Sequence, residues 1–447
     1  MLNLSKESTF LINYYDSLLN SSNKDFKFSP TNNKKSIFLS LQEKIFNNLN
    51  YIYNIFNKDF SNIKDFRQIY SHNTREHTTL IQNVYNKHFI NNRFIDNKIV
   101  DYIKNKPSSL LTYNLLLDNK KIRINFIVYT KISQKQLINF DKNVKAMLAK
   151  IYLISKLTNN DICSKHGLSI YLFFTPFKRE LAKNSQILGA TNVNGGFCYG
   201  CVPHGEIIIY RQEEAFKVFS HELIHNFGVD KYFWEFISNV KINNSKENKI
   251  YNKFLDNFNI VREKDLGLQE CLVEFWGEFI NNAIYSYIYA NECNLSTYKQ
   301  KFKFYNHIFK TIMKFEITHS FFQTTKILHH YNINYTDILS KYNTNSKFRE
   351  NSHVFSYYIL KLYLIYNYTE FINSGISITR ENSIKFNYSL QNMINFLNYI
   401  ISVSNANSLL TNFKFMQKNF LFLKSQNKCR EINYLLNNLR MSVIEYN

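Results

Sequence analysis

The chain runs to 447 residues, 45% hydrophobic and 17% aromatic, which excludes a disordered polymer and leaves room for two or three cores. Its formal charge of +21 is spread as scattered lysines through Asn- and Ile-heavy sequence with little arginine. That pattern marks AT-rich coding more than a nucleic-acid partner, the alternative being a lysine patch assembled in three dimensions.

Six cysteines (Cys163, Cys198, Cys201, Cys271, Cys293 and Cys429), mostly isolated, make no disulfide framework. No signal-like apolar run follows Met1. The stretch Val354 to Tyr368 is broken by Lys361 and is too short to span a bilayer. The expectation is an intracellular, non-secreted protein without a membrane span.

To about Ser71 the chain reads as helical pieces such as Ile37 to Phe56, interrupted by the polar stretch Asn20 to Lys35. Leu110 to Tyr129 reads as a hairpin turning at Asp118-Asn119-Lys120, with Ile122, Ile124, Phe126 and Val128 alternating along its second arm. A helix is expected over Gln136 to Leu157, and a strand over Ser169 to Phe174, stopped by Pro176. Next come a Gly-rich segment, a strand over Glu206 to Tyr210, and a helix from about Gln212 to Phe227. All four prolines and most glycines lie before residue 230, so the remainder is expected to be helical, with Asn/Lys-rich loops at Ile242 to Lys249 and Tyr342 to Asn351. The predicted division is an N-terminal helical region (1–105), an α+β lobe (106–230) and a helical lobe (231–447).

Chemistry concentrates on His221-Glu222-Leu223-Ile224-His225. Two histidines one helical turn apart project from one face and can offer two nitrogens to a zinc ion. Glu222, beside the first, is placed to take a proton from water activated by the metal. Val218-Phe219-Ser220 and Asn226-Phe227 flank the motif without charge, as a buried metal helix requires. Glu213 and Glu214 suit the first turn of such a helix, and Gly228 its end.

A third ligand is needed. A Gly-x-x-ligand continuation places Lys231 in the ligand position, with Asp230 one residue out of register, so that variant is rejected. Leu266 to Trp276 fits better: Glu270 follows His225 by 45 residues, and Glu274 lies one turn further on the same face. Glu270 is expected to bind the metal while Glu274 accepts the free N–H of a ligand histidine, with swapped roles as the alternative.

These segments resemble the gluzincin group of zinc metallopeptidases. More narrowly, they are similar to uncharacterised HExxH proteins of nucleocytoplasmic large DNA viruses, which would put the chain in host cytoplasm or virion. The features shared with those proteins are Ile207 to Arg211, Glu213-Glu214, the His221–His225 motif, Glu274-Phe275-Trp276 and Val354 to Tyr358; the likeness extends over 170–370 in pieces. Gln269-Glu270 departs from the Asn-Glu common in such helices. The resemblance implies a zincin-like α+β fold, a Zn2+ cofactor held by His221, His225 and Glu270, and a peptide or protein substrate with Glu222 as general base. The alternative is a catalytically silent virion structural or packaging protein.

Weaker candidates complete the reading. In the resembled group an edge strand near Gly195-Gly196 pairs with peptide substrate; the alternative is a plain glycine turn. His353, Tyr357 and Tyr358 are candidate donors to a developing oxyanion. Cys198-x-x-Cys201-x-x-His204 is half of a structural zinc site or a loop of free thiols. The adjacent His329 and His330 point apart and form no metal pair.

Overall fold

A computed structural model describes residues 4–21, 26–28, 36–92, 94–158, 162–183, 186–231, 233–236, 246–260, 266–342, 347–379, 381–385, 389–426 and 429–446. The expected loops at 242–249 and 342–351 lie partly outside the described residues.

The alternating segments pair as expected. Strands β2 (Ser109–Leu117) and β3 (Lys120–Val128) form an antiparallel hairpin. Its turn residues Asp118 and Asn119 adopt φ of 48° and 60°, a left-handed pair that Asp and Asn tolerate and that suits the twist of a two-residue hairpin. With β1 (Arg67–Tyr70), β4 (Gly167–Phe174), β5 (Gly196–Cys198) and β6 (His204–Ile209), they make a six-stranded sheet in the order β1-β2-β3-β4-β6-β5. The central strands β3, β4 and β6 are parallel, and both outer flanks are antiparallel. β1 lies within the stretch read as helical pieces; its exposed Gln68 and Ile69 carry no clear strand alternation.

Helices α1 (Lys6–Ser21) and α2 (Ile37–Lys58) precede the sheet in the chain, and further helices cover both its faces. On one, α3 (Arg75–His88) and α4 (Asn97–Asn105) bury Val84, Ile99 and Ile103 against Leu110, Ile127 and Ile208. On the other lie α5 (Gln134–Thr158), the crossover that parallel β3 and β4 require, and α7 (Ala215–Asn226), which follows β6 and the short α6 (Ala190–Val193). Beyond α8 (Lys246–Leu255), two long helices, α9 (Leu268–Glu292) and α10 (Tyr298–His330), dominate. α9 packs along α7, and a π-helical turn at Phe355–Leu360 packs against α9. The molecule is thus mixed α+β.

α7 begins at Ala215, three residues later than expected, so Glu213 and Glu214 precede the helix rather than occupy its first turn. Glu214 stands at φ +57°, a left-handed conformation costing an L residue roughly 1–2 kcal/mol. Its fully buried carboxylate accepts Nη1 of Arg179 at 2.7 Å, the backbone N–H of Met441 at 3.0 Å and that of Ser442 at 2.7 Å. Glu316 likewise accepts the N–H groups of Val443 and Ile444. The segment 438–446 is therefore threaded through the interior, with Leu439, Met441, Val443, Ile444 and Tyr446 all buried. Replacing Glu214 by Ala strands the Arg179 guanidinium and two backbone donors; a loss of about 3–5 kcal/mol is expected by urea unfolding. A loss below about 1 kcal/mol would show that water replaces the carboxylate.

Candidate metal centre

α7 and α9 meet at unusual closeness. A Cβ placed on Gly277 would lie 2.9 Å from His221 Cα and 3.0 Å from its nitrogen. Only hydrogen fits there, so the α9 backbone rests on the α7 backbone. Glu274 and Glu270 precede Gly277 by three and seven residues, on the same stripe of α9. Both carboxylates therefore face the histidines.

The resulting geometry is compact. Nε2 of His221 and of His225 lie 3.2 Å apart, and each is 3.4 Å from Oε2 of Glu270. Among the described residues these three form the group able to hold a metal ion. Glu270 Oε2 is buried and makes no hydrogen bond of good geometry, an expensive arrangement for a carboxylate with nothing else to face. The His221 and His225 side chains keep 10% and 13% of their exposure, so the group reaches solvent on one side.

The outer nitrogens are both held. His221 Nδ1 donates to Glu274 Oε2 at 2.8 Å, and His225 Nδ1 donates to Asp230 Oδ2 at 2.6 Å. Glu270 thus faces the inner nitrogens and Glu274 an outer one. Lys217, buried one turn before His221, ion-pairs with the other oxygen of Glu274. Burial pushes the Glu274 carboxyl up, but Lys217 and His221 outweigh it and hold it well below the carboxylate range. Desolvation lowers both histidine pKa values; the carboxylates of Glu270 and Glu274 reverse this at His221, and those of Asp230 and Glu270 do so more strongly at His225. Burial raises the Glu222 carboxyl, opposed by the two histidines.

The other candidates divide. Tyr357, on the π-helical turn, places its ring centre 6.1 Å from that of His221 and lines one cavity with His221, Glu222 and Glu274. Burial, then the Glu270 and Glu222 carboxylates, keep its phenol protonated. Tyr358 is withdrawn as a candidate: its hydroxyl donates to the Leu439 carbonyl at 2.5 Å, because the next residue on a helix points elsewhere. His353 packs against Gly267, at the start of α9, and stays outside the donor group. Gly196 belongs to edge strand β5, where a Cβ would strike Val218 of α7 at 2.9 Å; on Gly195 it would strike Arg179. Both glycines bring the sheet edge against the histidine helix.

The cysteine expectations need correction. Cys201 is disulfide-bonded to Cys163, and His204 Nε2 lies 3.3 Å from Ser169 Oγ, so Cys198, Cys201 and His204 form no half zinc site. The Cys198 thiol instead donates to the Glu222 carbonyl at 3.3 Å. His329 packs on Phe420 while His330 faces the Gln186 carbonyl, so the two do diverge. Lys217 and Gly277 carried no recognised sequence signal; a lysine one turn before the first histidine and a glycine inside an apolar helix are the marks to look for.

No protein-family model, curated protein or solved structure matches the chain.

Gly277→Ala tests the helix contact. The added methyl must push α9 off α7, and a stability loss of about 1–3 kcal/mol is expected by urea unfolding, as for other overpacked cores. An unchanged midpoint would contradict so tight a crossing.

Proposed function

We propose that the chain is a zinc-dependent metallopeptidase of zincin-like architecture, with His221, His225 and Glu270 as metal ligands. The observation that carries this reading is the spacing of the three donor atoms, 3.2, 3.4 and 3.4 Å. Tetrahedral bonds of about 2.0–2.1 Å require donors about 3.3 Å apart, so the residues fit the ion without rearrangement. A bound zinc ion supplies Lewis acidity toward water and an amide carbonyl.

The remaining chemistry belongs to the chain. Glu222, buried between the two histidines on α7, takes the proton of the attacking water and delivers it to the leaving amine. Its raised pKa suits both halves of that transfer. Tyr357, protonated and next to Glu270, can donate to a carbonyl oxygen as charge develops on it. The outer edge of β5 can receive an extended peptide by backbone pairing, which the close approach at Gly195 and Gly196 keeps beside the helix.

Two experiments test this reading. Metal analysis of the purified chain is expected to find one zinc, lost in Glu270→Ala and retained in Glu222→Gln, while Glu222→Gln lowers peptide-library cleavage by about 10²–10⁴-fold. Zinc retained by Glu270→Ala would remove that ligand from the assignment, and cleavage surviving in Glu222→Gln would remove the general base. The second experiment concerns pH. Zinc needs both Nε2 atoms free of protons, and the surrounding carboxylates hold those protons to higher pH than in a free imidazole. Affinity measured by chelator competition is therefore expected to climb as pH rises through 6.5 and to keep climbing above it. A flat profile from pH 6.5 upward would contradict the carboxylate backing.

A further inference from the structure

The two histidines are backed in different ways. His221 leans on Glu274, which Lys217 partly neutralises, whereas His225 leans on Asp230, which receives a second, neutral donor, Nε1 of Trp234 at 2.8 Å. Local backbone geometry brings Asp230 there. Gly228, at φ +69°, ends α7, and the N–H groups of Gly228 and Val229 return to the carbonyls of His225 and Ile224. The chain doubles back, so a residue five positions after His225 faces the ring nitrogen turned away from Glu270.

Trp234 makes the arrangement specific. It keeps 48% of its exposure, so its ring contributes little core, yet its N–H is directed at the same Asp230 oxygen that His225 uses. Asp230 itself is 3% exposed, and a carboxylate so placed is expensive unless such donors hold it.

Resting on the metal reading above, we propose that Asp230, oriented by Trp234, is the positioning residue of His225. It fixes the Nδ1–H tautomer and the ring plane, so that the Nε2 lone pair points toward the two other donors. Asp230 was rejected from sequence as a ligand one residue out of register; its oxygen serves the far side of the ring instead. Since Glu274 and Lys217 hold His221 separately, disturbing Asp230 affects one ligand and leaves the other intact.

The test uses the full chain, titrated with cobalt(II) as a spectroscopic probe and with zinc by chelator competition, the fold of each variant being checked by circular dichroism. Asp230→Ala is expected to weaken metal binding about 10- to 100-fold and to alter the cobalt visible bands. Asp230→Asn, which keeps an acceptor oxygen, is expected to recover most of the loss. Trp234→Phe is expected to cost about fivefold, the worth of one neutral hydrogen bond. Wild-type affinity and bands in either Asp230→Ala or Trp234→Phe would overturn the positioning role as stated while leaving the metal site standing. A wild-type chain that takes up no cobalt would overturn both. Should Asp230→Ala fail to fold, Asp230→Asn and Trp234→Phe decide: bands altered in Trp234→Phe and near-native in Asp230→Asn support the role, and native bands in Trp234→Phe overturn it.

Discussion

The crossing of α7 and α9 at His221 and Gly277 sets the rest of the centre. A glycine inside a helix ordinarily costs about 0.5–1 kcal/mol relative to alanine. Here it allows two backbones to approach until a methyl group no longer fits. At that separation short acidic side chains on α9 reach the imidazoles of α7 directly, with Glu270 on the inner nitrogens and Glu274 on an outer one. A wider crossing would leave Glu270 beyond the distance at which one ion can touch all three donors.

That closeness concentrates charge in the interior, and the molecule compensates locally. Lys217 meets Glu274, Lys361 meets Glu278 at 2.8 Å, and Arg179 meets Glu214 at 2.7 Å, all nearly fully buried. Such pairs seldom add net stability, but removing one member leaves an uncompensated charge. The segment 438–446 takes part in the same compensation through its backbone N–H groups on Glu214 and Glu316. Support for the histidine helix thus comes from a part of the chain more than two hundred residues away, and the centre depends on long-range closure as much as on its motif.

This explains what was legible in the sequence. Local patterns were readable: the period-two strand β3, the short apolar strand β4 stopped before Pro176, the hairpin turn at Asp118 and Asn119, and two histidines on one helical face. Glu270 and Glu274 were readable because acids on so apolar a helix need partners. Features fixed by tertiary contact were not. Asp230 drew attention by its type but was judged against the wrong ring nitrogen, since the turn at Gly228 decides which side it reaches. Glu213 and Glu214 suited a helix start by propensity, yet buried Arg179 and the 438–446 segment claim them. The Cys163–Cys201 bridge joins loops that the sheet order alone brings together. β1 is held by pairing with β2 and not by any burial pattern of its own.

The central claim is that His221, His225 and Glu270 converge on one ion. Crystals grown with zinc and measured on both sides of its absorption edge test this most directly. The account predicts a single strong anomalous peak about 2.0–2.2 Å from both Nε2 atoms and from one oxygen of Glu270. A structure with no peak there, and Glu270 instead hydrogen-bonded to the two histidines, would contradict it.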